Sequence, residues 1–191
     1  MSTVTIIGTG NMAQAISGIV SKAGGTAQLL GTEDFATPVA GEIVVLAVPF
    51  PAVDEVIAQR PGQLDGKIVV DITNPLNFET FDSLVVPADS SAAQEIAAQL
   101  PTARVLKAFN TTFAGTLAAG TVGPLTTTVL IAGDDTAAKE QLAGIVRAGG
   151  LNAVDAGALK RAREMEALGF LQLTLAASEK ISWTGGFGVV A

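Results

Sequence analysis

Thr3-Val4-Thr5-Ile6-Ile7-Gly8-Thr9-Gly10-Asn11-Met12-Ala13 sets the architecture expected of the rest of the chain. Its first five residues are short and β-branched throughout, the pattern of a parallel strand buried on both faces. Gly8 to Ala13 then fits G-x-G-x-x-G/A. From Met12 the spacing of Ile16, Ile19 and Val20 becomes helical, and Gly24-Gly25 stops the helix. Each small residue has its own task. Gly8 permits the tight turn, Gly10 lets backbone approach a pyrophosphate, and Ala13 keeps the helix close to the sheet. Free N–H groups at a helix N-terminus hold phosphates without a lysine.

Outward from this turn, the rest of the 191-residue chain alternates strand and helix signals. Strands are expected at Ala27–Leu30, Ile43–Val48, Gly66–Ile72, Arg104–Phe109, Thr126–Ala132 and Asn152–Asp155. Helices are expected over Ala52–Gln59, from a Ser90 or Ser91 cap through Leu100, from Asp135 through Ala148, and from Ala158 to about Lys180. Thr37-Pro38 offers one helical turn at most, so a stunted or missing helix is expected between the second and third strands. Residues 77–89 lack periodicity, and Phe78, Phe81, Leu84 and Val85 give them something to bury, as in a packed loop near a site. The expected fold is a Rossmann-type α/β domain over residues 1–191. It has three layers, a doubly wound parallel sheet and a long C-terminal helix and tail from about residue 158.

Composition restricts both partners and chemistry. Hydrophobic residues make up 49% and charged residues 15%, enough apolar material for a large core. A formal net charge of −7 argues against nucleic acid and anionic membrane. No apolar run approaches the roughly 20 residues of a membrane helix, and no signal peptide precedes the first strand. With no cysteine for disulfides, a cytoplasmic location is expected. The absence of Cys and His excludes thiol nucleophiles, Ser-His-Asp triads and the usual zinc sites, and no metal site is expected. Without Tyr there is no phenolic acid either, and no residue is assigned as a catalytic acid or base. What remains is chemistry carried by a cofactor that the protein binds and orients, hydride transfer best of all.

In such a sheet ligands bind beyond the carboxyl ends of the strands. After the second strand stand Thr32-Glu33-Asp34, where a carboxylate accepts from a free ribose 2′-hydroxyl and favours NAD; a solvated acidic turn gives the same pattern. Asn74 and Asn110 follow the fourth and fifth strands. Their amides suit a nicotinamide carboxamide or a flavin-like ring edge, or simply satisfy loop backbone. Lys107 either reaches a phosphate or acidic partner or snorkels at the surface.

Four separated motifs resemble the coenzyme F420-dependent NADP oxidoreductase family. They are Gly8-Thr9-Gly10-Asn11-Met12, Asp71-Ile72-Thr73-Asn74-Pro75-Leu76, Lys107-Ala108-Phe109-Asn110-Thr111, and Asp155-Ala156-Gly157 with Arg161 to Glu166. The resemblance implies NADP on the glycine turn and a deazaflavin or flavin-like ring stacked near the nicotinamide. Gly8, Thr9, Gly10, Asn11 and Met12 would hold the phosphates. Thr32 and Glu33 would lie at the ribose, Ala47, Val48 and Pro49 on the adenosine side, and Thr73, Asn74 and Pro75 at the nicotinamide. Phe109, Asn110 and Trp183 would border the second substrate, Trp183 within a glycine-rich ending like the family's. Family members carry Ser-Arg after the second strand where this chain has Thr32-Glu33, so NADP is expected to bind with weak discrimination over NAD. The expected activity is hydride transfer between NADP(H) and the planar acceptor. The alternative is a dinucleotide-binding module without turnover, a sensor or subunit. The apolar half of the last helix, Ala167–Ala177, predicts a homodimer.

Overall fold

The computed structural model describes residues 2–31 and 33–190. Strand β1 (Thr3–Ile7) leads through the glycine turn into α1 (Asn11–Lys22), and β2 (Thr26–Leu30) follows. β3 (Ile43–Leu46), α2 (Val53–Ala58), β4 (Ile68–Asp71), α3 (Ala92–Gln99) and β5 (Arg104–Ala108) continue the alternation. After β5 come α4 (Ala114–Ala119) and a small hairpin of β6 (Thr121–Val122) and β7 (Leu125–Thr126). β8 (Thr128–Gly133), α5 (Thr136–Ala148), β9 (Asn152–Gly157) and α6 (Ala162–Ala177) complete the order, with a 3-10 turn at Leu159–Arg161 leading into α6. No helix among the described residues is long and apolar enough to cross a membrane.

The seven-stranded sheet has the order β2-β1-β3-β4-β5-β8-β9. Strand order reverses between β1 and β3, which opens a crevice at the carboxyl ends of those strands. Alternation along the strands sends side chains to two cores. Val4, Ile6, Val45, Val70 and Leu106 pack under α1 and α5, while Ile7, Val44, Leu46, Val69 and Val105 pack under α2, α3 and the start of α6. Rossmann-like layering follows as expected. No helix forms between β2 and β3 among the described residues, also as expected.

Two expectations need correcting. The sheet is not wholly parallel, because β8 runs antiparallel to β5 and β9 parallel to β8. The connection through α4 and the hairpin never returns to the opposite end of the sheet, so β8 starts where β5 stops. That keeps residues 109–127 on the ligand side. The loop of residues 77–89 buries less than its apolar residues suggest. Leu76 bridges to Leu84, and the Phe78 and Phe81 rings meet edge to face at 5.7 Å. Their outer surfaces, and that of Val85, are exposed. The loop satisfies its rings mainly against each other.

Candidate functional site

Gly8 has φ +126°, and a Cβ there would overlap the Ala47 carbonyl. Its N–H donates to the Leu30 carbonyl at 2.8 Å, so the glycine turn is tied to the end of β2 and pressed against the end of β3. Gly10 is the residue before α1, which has no side-chain cap and no acidic residue in its first turn. The direction a Cβ would take at Gly10 is open space. Thr9, Gly10 and Asn11 are exposed and Met12 is half-buried, while Ala13 is fully buried against the sheet. The first-turn N–H groups therefore face solvent with the positive end of the helix dipole behind them, a geometry that suits an anion held by backbone alone.

At the adenosine side, Thr32 lies outside the described residues. Glu33 and Asp34 are exposed, and the Asp34 carboxylate accepts from the Gly31 N–H at 2.7 Å. Beneath this turn lies a residue the sequence does not signal. Arg60 follows α2, is 2% exposed, and donates from Nη1 to the Asp34 carbonyl at 3.2 Å and from Nη2 to the Gly31 carbonyl at 3.5 Å. Burial pushes its pKa down and the Asp34 charge pulls it back up. Of the residues after β3, Ala47 is half-buried and Pro49 exposed, whereas Val48 packs into the core under α2.

The opposite end is organised by charge. Asp71 and Lys107 are register partners on β4 and β5. Lys107, fully buried, pairs with Asp71 Oδ2 and with Glu166 Oε1 of α6, each at 2.8 Å, and also donates to the Thr73 carbonyl. Of the two readings of Lys107, the acidic partner is the one observed; neither a phosphate contact nor snorkelling fits a fully buried amine. Asp71 Oδ1 accepts from the Thr73 N–H at 2.8 Å, so both sides of Thr73 are clamped. Glu166 also accepts from Ala92 N–H at 3.0 Å, so the α6 carboxylate caps α3. Burial pushes the Glu166 carboxyl above its ordinary range, against the pull of Lys107.

Above this network Asn74 and Asn110 face each other. Asn74 Nδ2 donates to the Asn110 carbonyl, and Asn110 Nδ2 donates to Asn74 Oδ1 and to the Met165 carbonyl, each at 2.9 Å. Gly169 on α6 makes the approach possible, since a Cβ there would collide with the Asn74 amide. Thr73 Oγ1 and Asn110 Oδ1 are buried without a partner. Orphans of this kind suit a bound carboxamide, which both donates and accepts. Thr73 and Pro75 are buried beside them. Phe109 is in the left-handed region at φ +62° and turns the chain so that Asn110 faces the cleft. Its own ring is buried in the core under α1 and does not line the cleft, which corrects its assignment as a substrate contact.

A cavity of about 440 Å³ joins these parts, lined by Asn11, Met12, Asn74, Asn110, Phe113 and Trp183 among others. Trp183 comes from the segment after α6, and its ring centroid is 5.0 Å from that of Phe113 at 55°. The cavity thus runs from the first turn of α1 to an aromatic wall. Phe113 and Leu173, missed at the sequence level, also line it. The reversal of β8 places the first of these, and α6 crossing the carboxyl end of the sheet places the second.

The family described as NADP oxidoreductase, coenzyme F420-dependent, matches residues 3–75. The F420-dependent NADP reductase of Methanocaldococcus jannaschii is 29% identical over 171 residues, covering 87% of this chain and 76% of that protein. The rat metalloreductase STEAP3 is 39% identical over 106 residues, 56% of this chain but 20% of that protein. Among solved structures, a candidate F420-dependent NADP-reductase from Arthrobacter sp. FB24 superposes over the whole of both chains with a TM-score of 0.86 at 22% identity, which shows a shared fold. The resemblance carried by the four motifs is borne out: the family's model matches residues 3–75, and similarity to the archaeal reductase extends over 87% of the chain.

Proposed function

We propose that the chain is a nicotinamide-dependent oxidoreductase that binds NADP(H), and NAD(H) with weak discrimination. It would transfer hydride between the nicotinamide and a planar acceptor, a deazaflavin such as coenzyme F420 or a flavin. The observation that carries this reading is the continuity of one cleft. Asn11 and Met12, at the start of α1, line the same cavity as Asn74, Asn110 and Trp183.

The bound nicotinamide supplies the hydride chemistry. The chain's residues bind and orient. The α1 N–H groups hold the pyrophosphate, the Thr73–Asn74–Asn110 cluster aligns the carboxamide, and Met12, Phe113 and Trp183 provide apolar walls for a second ring. Direct transfer between stacked rings depends on close approach and orientation, worth up to roughly 7–11 kcal/mol of barrier. Among the described residues lining the cavity no acidic or basic side chain is present, which suits a reaction without an acid or base.

Two further features support the assembled picture. Leu171 is 50% exposed, and Leu168, Phe170, Leu173 and Leu175 are half-buried on the same helix, in keeping with a homodimer through α6. The charge of −7 argues against a nucleic-acid partner, and the lack of cysteine is in keeping with a cytoplasmic location. The test of function is steady-state oxidation of NADPH and NADH with a deazaflavin, a flavin and a quinone. NADPH oxidation matched by deazaflavin or flavin reduction is expected. Tight nucleotide binding with no turnover on any acceptor would favour a binding module.

A further inference from the structure

We infer that Arg60 reads the adenosine 2′-phosphate, supplying from beneath the turn after β2 the guanidinium that the turn itself lacks. The inference rests on the dinucleotide reading above. Gly31 is the first residue past β2, where a ribose is read in this class of sheet. The Gly8 N–H bond to the Leu30 carbonyl fixes the glycine turn beside it. Arg60 Nη2 lies 3.5 Å from the Gly31 carbonyl, so the cation lies beneath the turn at which the 2′-substituent would be read.

Its surroundings are those of a group awaiting an anion. Arg60 is 2% exposed, its Nε is buried without a partner, and its two hydrogen bonds go to backbone carbonyls at 3.2 and 3.5 Å. None of the ion pairs among the described residues includes it. A buried guanidinium with five donors and so sparse a shell is unfavourable by itself. A 2′-phosphate brings close to two negative charges and three acceptor oxygens, whereas a 2′-hydroxyl brings neither. Arg60 also offsets the exposed Glu33 and Asp34, which would otherwise repel a phosphate. The opposing signs predict a preference for NADP that is small.

The test compares 2′,5′-ADP with 5′-AMP by calorimetry on the parent, Arg60→Gln and Arg60→Lys. The parent should bind 2′,5′-ADP roughly fivefold more tightly, and that ratio should shrink as salt rises. Arg60→Gln should erase the ratio with little change for 5′-AMP, and Arg60→Lys should retain part of it. A merely structural role in pinning the turn would weaken both fragments alike and overturn the proposal, as would an unchanged ratio in Arg60→Gln. A parent that binds both fragments without preference or salt dependence refutes the role of Arg60 while leaving the dinucleotide reading intact. A parent that binds neither refutes both.

Discussion

Lys107 and Arg60 are both buried cations near the carboxyl ends of the strands, one under each end of the cleft, and their surroundings differ completely. Lys107 has two carboxylates at 2.8 Å and a backbone carbonyl, and its pairing stitches β4, β5 and α6 together. Arg60 has two long bonds to carbonyls and an orphaned Nε. The first arrangement is complete without any ligand, so its work is to hold Thr73 and Asn74 in place. The second is incomplete, and burying an incompletely satisfied cation is unfavourable unless something else is to arrive. Satisfaction, more than burial, separates a positioning group from a binding group.

The contrast is sharpest in stability. Lys107→Met leaves Asp71 and Glu166 buried and uncompensated and should lower unfolding free energy by about 3–5 kcal/mol. Arg60→Met removes weak bonds from a poorly solvated cation and should lower it by about 1 kcal/mol or less. Urea midpoints at equal slope measure both. Equal losses would mean that Arg60 is as well satisfied as Lys107, and the comparison would break.

Nucleotide preference sharpens it from the other side. Glu33→Arg adds a cation on the outer side of the turn that Arg60 underlies. It should raise the NADP:NAD affinity ratio by about tenfold. Titrating both nucleotides against parent and variant checks this, and an unchanged ratio would place residue 33 away from the ribose.

The smallest expected effect concerns pH. Glu166 has its folded pKa raised by burial, so the unfolded chain loses this proton first. Between the ordinary glutamate range, near 4.5, and the higher folded value, the unfolded state binds fewer protons and stability falls as pH rises. Below that window the penalty is absent. Thermal unfolding of the parent relative to Glu166→Gln should therefore show the parent losing ground as pH climbs out of the acid range. A parent that gains on the variant over that interval would mean that Lys107 outweighs the burial of Glu166.

How much of this was legible in the sequence depends on the reach of each signal. β1, the glycine turn and α1 were readable because their causes are local: a β-branched run, two glycines and a 3.6-residue apolar period. The cap at Ser91, one of the two serines the sequence offers, is local in the same way, its side chain accepting from the backbone N–H three residues on. The direction of β8 was not readable, because an apolar run has no sense of direction. Only the path of residues 109–127 decides it. The exposure of Phe78 and Phe81 was hidden because two rings that cover each other look, in sequence, like two rings needing a core. Lys107 was flagged at the end of an apolar strand, with an acidic partner among its readings, but nothing in Arg161 to Glu166 marked Glu166 as the charge to be buried. Arg60 gave no signal at all, a lone cation before Pro61-Gly62. Its place follows from the segment after α2 packing beside residues 33–42, which form no helix.

The assignment as a dinucleotide enzyme depends most directly on Gly10. A calorimetric titration of NADPH into the parent and into Gly10→Val isolates that point, because the added side chain enters open space and leaves the fold undisturbed. Binding by the parent and a loss of at least about a hundredfold in the variant, with unchanged thermal unfolding, is the expected result. Equal binding by the two proteins would show that the pyrophosphate does not sit on the glycine turn.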